Sequence, residues 1–313
     1  MLDKKYVFRR LLQILVVLIG VSFFTFLLIY LSPGDPVRNM FAANGSIPSE
    51  EVLDITREQL GLKFPFLIQY KNWLAGVLRG DFGMSYSMKK PVLELMLARL
   101  WPTVRLALNS LWMMLAIALP LGVFSAVWQN RWPDQLIRGY TFLGVSMPNF
   151  WVGMLLLYVV AMKLRLLPVV TMGKGYKTVI LPALTLAIAM SAKYARQVRA
   201  IVLEELSQEY VGAARCRGIR ERTILWRHVF PNALIPLVTM LGLSLGSLLG
   251  GTAVVEVIFS YQGLGNLAVS AIKAMDYPVI QGYVLWVALI YMVINLVVDI
   301  SYDLLDPRVR EGR

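Results

Sequence analysis

Residues 8–31 read Phe8-Arg9-Arg10-Leu11-Leu12-Gln13-Ile14-Leu15-Val16-Val17-Leu18-Ile19-Gly20-Val21-Ser22-Phe23-Phe24-Thr25-Phe26-Leu27-Leu28-Ile29-Tyr30-Leu31. After two arginines the run carries no charge at all. A helix that crosses about 30 Å of hydrocarbon needs roughly 20 such residues, and this stretch supplies them. Lys4 and Lys5 stand just before it, the arrangement of a secretory signal. The run is longer than the roughly 7–15 residues of a signal-peptide core, and Leu31-Ser32-Pro33 is no small-residue cleavage site. It therefore reads as a retained signal anchor.

Working outward, the same test finds five more runs, at 103–128, 139–162, 178–192, 233–255 and 283–300. The fourth is short, and extending it toward Arg199 lets long basic side chains reach the interface. Six helical spans are predicted, an all-α integral membrane protein. The composition agrees. Of 313 residues, 58% are hydrophobic and 16% charged, against about 25% charged in ordinary soluble domains. Disorder is excluded by that hydrophobicity. A disulfide-stapled fold is excluded by a single cysteine, Cys216.

The net charge of +12 raises the question of nucleic acid, but the basic residues sort by side. With the N-terminus inside, the inner segments hold 17 bases: Lys4, Lys5, Arg9, Arg10, Arg131, Arg138, Lys193, Arg196, Arg199, Arg215, Arg217, Arg220, Arg222, Arg227, Arg308, Arg310 and Arg313. The short outer loops hold 5, namely Lys163, Arg165, Lys174, Lys177 and Lys273. The positive-inside rule then places both termini in the cytoplasm. The charge is a topology signal, and no nucleic-acid partner is expected. The basic outer stretch 165–177 runs against the rule.

Two loops are too long to be plain connectors. The outer segment 32–102 opens on Ser32-Pro33-Gly34-Asp35-Pro36, a turn. It continues with an amphipathic helix over 49–60, Ser49 as its N-cap and Gly61 as its stop. Phe64, Phe66, Tyr70, Trp73 and Leu74 follow at helical spacing, an apolar face for the membrane boundary. The inner loop, about 200–231, reads as a helix over 204–215, a break at Gly218 and a second helix over 221–229, with Arg215, Arg217, Arg220, Arg222 and Arg227 exposed. Such order fits a docking surface for a soluble partner.

The chemistry of an enzyme is missing. No stretch fits G-x-x-x-x-G-K-[ST], so no phosphate cradle is expected. One histidine, His228, excludes a two-histidine zinc helix and leaves no intramembrane base for a serine nucleophile. His228 reads as a solvated or capping residue, and Cys216 as a small residue on a packed helix face. Asp299, Asp303 and Glu256 lie at span ends, where solvated or interfacial positions are expected, rather than mid-span as a proton-coupled carrier requires. Gly242, Gly246 and Gly250 have the four-residue spacing of close helix contacts. Pro120, Pro148 and Pro182 are expected to kink their spans.

Glu209-Tyr210-Val211-Gly212-Ala213-Ala214-Arg215-Cys216-Arg217-Gly218, with Phe230-Pro231-Asn232-Ala233 after it, resembles the inner-loop signature of ABC importer permeases. Gly212 stands where many members carry glutamate, as is usual in the peptide and nickel branch. Arg9-Arg10-Leu11, the turn at 31–36, Gly80-Asp81-Phe82-Gly83, Val254-Val255-Glu256, Gly263-Leu264-Gly265, Asp276-Tyr277-Pro278-Val279-Ile280-Gln281 and Leu305-Asp306-Pro307-Arg308 resemble that branch too. Gln262 replaces its usual proline. The stretch Phe142-Leu143-Gly144-Val145-Ser146-Met147-Pro148-Asn149-Phe150-Trp151 looks most like nickel permeases.

The resemblance implies a type I ABC importer permease fold. Residues 1–94 would form the first span and an extracytoplasmic cap, and 95–313 the five-helix core with its coupling loop. It implies a non-enzymatic translocation subunit of the bacterial cytoplasmic membrane, carrying nickel or a nickel chelate, or else di- or oligopeptides. Its implied partners are a second homologous permease, two ATP-binding subunits and an external substrate-binding protein. No cofactor is implied in this chain, because ATP and Mg belong to the ATPases. Glu209, Gly212, Ala213, Ala214, Arg217, Gly218 and Arg222 would contact the ATPase. Ser146, Met147, Asn149, Met190 and Glu256 are candidates for the translocation path, with no metal ligand among them. A stand-alone secondary carrier is the alternative from another class. It needs internal repeats and mid-span ionisable groups, and neither is found.

Overall fold

The long apolar runs become long helices. The computed structural model describes residues 4–43, 45–169 and 175–305, and these are helical almost throughout. In chain order the helices are α1 (Lys4–Leu31), α2 (Pro36–Ala43), α3 (Glu50–Gln59), α4 (Phe66–Leu78), α5 (Val92–Val127), α6 (Trp132–Ser146), α7 (Asn149–Leu156), α8 (Lys177–Leu206), α9 (Glu209–Cys216), α10 (Glu221–Ile224), α11 (Phe230–Ile258), α12 (Leu264–Lys273) and α13 (Tyr277–Leu305). Two π-helical stretches join them, Leu157–Lys163 after α7 and Leu225–Val229 after α10. Among the described residues, 4 helices are long and apolar enough to cross a membrane, or up to 6 if two bent pairs each count as one span.

The chain divides into two units. The first holds residues 1–103 and 262–293. In it the cap helix α4 lays Phe66, Tyr70 and Trp73 on Phe23, Phe26 and Tyr30 of α1, with ring centroids 5.4 Å apart for Phe23 and Tyr70 and 5.3 Å for Tyr30 and Phe66. The i, i+4, i+7 spacing on one helix meets i, i+3, i+7 on the other, which is what brings both aromatic rows onto facing stripes. So this apolar face, expected at the membrane boundary, packs on the first span. Val92 and Met96 form a small core with Leu264, Leu267, Ala271 and Val279. Ser49 occupies the N-cap position of α3 but makes no side-chain cap bond.

The second unit holds residues 104–261 and 294–313. Its cores gather α5, α8 and α11 through residues such as Leu106, Leu181, Leu186, Val255 and Phe259. The third apolar run, 139–162, is not one straight span: α6 and the following α7 with its π stretch meet at 104°. Proline explains the break. Pro148 disfavours the α conformation in the residue before it, and Met147 is extended at φ −87°, ψ 130°. Pro182 instead sits inside the unbroken α8, and Pro120 inside α5. The fourth run is longer than its apolar part, reaching past Arg199 to Leu206. Gly242 faces Val298 so closely that a Cβ would overlap it, and Gly246 is buried. The side chains of Asp299 and Asp303, residues 170–174 of the basic outer stretch, and Asp306-Pro307-Arg308 lie outside the described residues, as do Arg310 and Arg313.

Candidate functional site

The inner loop folds differently from its sequence pattern. The helix expected over 204–215 is broken, because Ser207 closes α8 and Gln208 caps α9 in an extended conformation at φ −68°, ψ 149°. Glu209 then supplies an acid to the first turn of α9, where it meets the positive end of the helix dipole. At the other end Gly218 has φ +73°, a left-handed residue that suits glycine. Its N–H donates to the Arg215 carbonyl at 2.9 Å, and the Ile219 N–H to that of Ala214 at 3.2 Å. The expected second helix does resume at Glu221, but it runs on through its π stretch into α11. Pro231 lies at the second position of α11, directly after the π stretch.

Helix α9 is two-faced. Val211 is fully buried against Val198 and Val202 of α8 and Val123 and Ala126 of α5, with Ala214 packed beside them. Glu209, Gly212, Ala213 and Cys216 fall at i, i+3, i+4 and i+7, and all are exposed. A Cβ added at Gly212 would meet nothing within 4 Å. Arg217, Gly218 and Arg222 are exposed as well. The structure thus carries the predicted coupling residues on one continuous stretch of surface, with Ala214 alone turned inward. Cys216 is corrected, since it lies on the exposed face rather than a packed one.

The charges of this segment are mostly unspent. Arg215 donates from Nε to Glu221 Oε1 at 2.7 Å, and this hydrogen bond holds the Glu221 carboxyl below its ordinary value. Arg217, Arg220, Arg222 and Arg227 carry no ion pair among the described residues. Beside them runs a groove of about 510 Å³ lined by Phe124, Val127, Trp128, Leu206, Arg222 and Trp226.

Of the five path candidates, Ser146, Met147 and Asn149 meet at the α6–α7 break, Ser146 and Asn149 exposed. Met190 packs between two apolar clusters. Glu256, expected in a solvated or interfacial position, is instead fully buried in α11.

Two buried acids were missed from the sequence. Asp134, in the first turn of α6, accepts from Arg199 Nε at 2.8 Å and from its second nitrogen at 2.9 Å. Ser125 Oγ and the Asn130 N–H complete its shell. Asp276 accepts from Ser85 Oγ at 2.6 Å, Ser87 Oγ at 2.7 Å, and the N–H groups of Ser87 and Tyr86 at 3.0 and 3.1 Å. Asp276, which opens the motif quoted at 276–281, therefore binds the three residues Ser85, Tyr86 and Ser87 that follow the Gly80–Gly83 turn.

The described residues form a membrane-type helical bundle with an exposed helix–glycine–helix surface. Residues 118–311 match the family described as binding-protein-dependent transport system inner membrane component, and residues 1–107 match its N-terminal counterpart. The chain belongs to this family of ABC importer permeases. The glutathione transport system permease protein GsiC of Escherichia coli (strain K12) is 39% identical over 305 residues, 97% of this chain and 98% of that protein. The protein of the same name from Salmonella typhimurium shows the same figures. The inward-facing MetNI methionine ABC transporter aligns with a TM-score of 0.59 at 17% identity, over 70% of this chain and 100% of that one, a likeness of fold.

The chain is accordingly an inner-membrane permease subunit of an ABC importer, with the type I fold and no ATPase site of its own. ATP is bound by partner ATPases, and a substrate-binding protein and a second permease complete the machine.

Proposed function

We propose that this permease imports a short peptide of the glutathione type. The observation that carries the reading is the 39% identity, sustained over 97% of the chain, to glutathione permeases. Nickel favours imidazole and thiolate, and among the described residues no three His, Cys, Asp or Glu side chains come together. A nickel chelate needs no such group, so the donor chemistry fits either cargo and the reading stands on the identity. Nickel or a nickel chelate is the second reading, favoured by the stretch 142–151 at the α6–α7 break.

In this reading both termini face the cytoplasm, and the chain pairs with one second permease, two ATPases and one binding protein. Residues 1–94 bear the cap, and 95–313 the translocating core. Closure of the ATPases on ATP displaces the segment from Glu209 to Arg222, and the core reopens outward. Glu209, Gly212, Ala213, Ala214, Arg217, Gly218 and Arg222 serve the coupling. Ser146, Met147 and Asn149 border the path, with Met190 and Glu256 supporting it from within.

Uptake of labelled glutathione, a labelled dipeptide and radioactive nickel is compared in a deletion strain with and without the gene. Loss of a peptide alone is expected. Loss of nickel alone overturns the peptide reading.

A further inference from the structure

Helix α9 is separated from α8 by Ser207 and Gln208 only, and α8 is fastened to α6 at three levels. Near the α9 end, Arg199 grips Asp134 with two nitrogens, at 2.8 and 2.9 Å. Further along, the Tyr140 hydroxyl lies 2.6 Å from Ser191 Oγ. Beyond that, a Cβ at Gly144 would stand 2.5 Å from the Ala192 Cβ, so the helices touch with no clearance. From residue 134 to 144 these fastenings cover about 15 Å of α6. Asp134 is fully buried, and a buried carboxylate held by a bidentate arginine resists sliding, because any slip would strand both charges.

Two residues past Gly144, α6 ends at Ser146 and the chain bends through 104° into α7. On the far side the contact with α8 is close but apolar. A Cβ at Gly153 would lie 3.1 Å from Thr185 Cγ2, and among the described residues no hydrogen bond or ion pair joins α7 to α8.

We propose that α6 and α8 form a single strut, pinned by Asp134 and Arg199, that carries displacement of α9 to the bend at Met147–Pro148. Asp134 and Arg199 are then positioning residues for import, acting through Ser146, Met147 and Asn149 rather than on cargo. The proposal rests on the coupling reading of α9, and its first test is independent of cargo.

The test uses the assembled transporter in lipid nanodiscs, with Cys216→Ser to remove this chain's cysteine and partner cysteines likewise replaced. Spin labels are placed at the exposed positions Gln135 and Arg196, and their separation is measured without nucleotide and with ATP trapped. One unchanged narrow distance is expected in both states. A distance that changes between the states overturns the strut, whatever the cargo. Asp134→Asn is expected to broaden that distance and to raise the ATP hydrolysed per molecule imported by about tenfold, while the ATPases still co-purify. Tyr140→Phe should raise it less. If Asp134→Asn leaves that ratio at the parent value, the pin has no transmitting role. If Asp134→Asn does not assemble, the distance pair in the parent protein still decides. Loss of uptake with the distance unchanged and the ratio unmeasurable would point instead to a failed ATPase contact at α9.

Discussion

The two long segments read from the sequence as outer and inner treat their charges differently. In the outer one several polar groups close on one another, although Lys71, Arg79, Lys89 and Lys90 stay exposed with no ion pair among the described residues. Asp276 takes four donors from Ser85, Tyr86 and Ser87, and Arg57 binds both Asp35 and Asp54. In the inner segment a single internal pair, Arg215 with Glu221, sits among four arginines with no ion pair among the described residues. What separates the two is the surface around the free cations: the inner segment sets them beside the exposed small residues Gly212, Ala213 and Cys216, a shape that fits a partner in the coupling proposed above. Substitutions in each segment should then fail in different ways.

The largest expected effect falls on the inner side. Gly218→Pro asks for φ near −65° where the chain stands at +73°, and it deletes the N–H that closes α9 on Arg215. Uptake should be abolished while membrane insertion, checked by fractionation, stays intact. Gly218→Ala, strained by about 1 kcal/mol, should retain part of the uptake. Normal transport by the proline variant would remove the segment from the coupling role.

On the outer side, Asp276→Ala leaves two N–H and two hydroxyl donors facing an apolar core without their acceptor. Each such loss costs about 1–3 kcal/mol, and neighbouring losses overlap, so about 3 kcal/mol is expected for the cap. The readout is faster proteolysis between residues 79 and 91, with ATPase co-purification unchanged. Were ATPase binding lost and the cap left protected, the contrast between the segments would collapse.

How far the sequence reaches differs between these regions for a physical reason. Apolar run length reports burial in lipid directly, so α1, α5, α8, α11 and α13 were legible at once. The bend after α6 was not, because hydropathy measures composition and says nothing of direction. Only the Met147-Pro148 step carried the signal, and the same residue type at Pro182 is absorbed in an unbroken helix. The break at Ser207-Gln208 was legible in principle as a cap followed by the acid Glu209, but the surrounding helical pattern masks it. Asp134 with Arg199, and Asp276 with Ser85, join residues far apart in the chain. No local pattern announces either pair. The exposed segment from Glu209 to Arg222 was legible because its residues are nearly consecutive, whereas its coupling role comes from the resemblance.

The smallest expected effect tests whether the outer segment's closure is electrostatic. Burial by itself would raise the Asp35 carboxyl, but the Arg57 hydrogen bond, the Val37 N–H and the Arg57 charge together hold it below its ordinary value of 3.8. A carboxyl depressed in the folded state binds its proton more readily when unfolded. Its contribution is therefore present above about pH 3.8 and is lost as pH falls through the depressed folded value. With both side chains about a quarter exposed, the pair contributes about 1 kcal/mol at most. The melting temperatures of the purified complex and its Asp35→Asn variant should therefore differ slightly at pH 6 and converge only as pH falls from 3.8 through the depressed folded value. A difference that instead widens with acid would mean that Asp35 is held by packing alone, and the outer segment would lose its claim to be closed by its own charges.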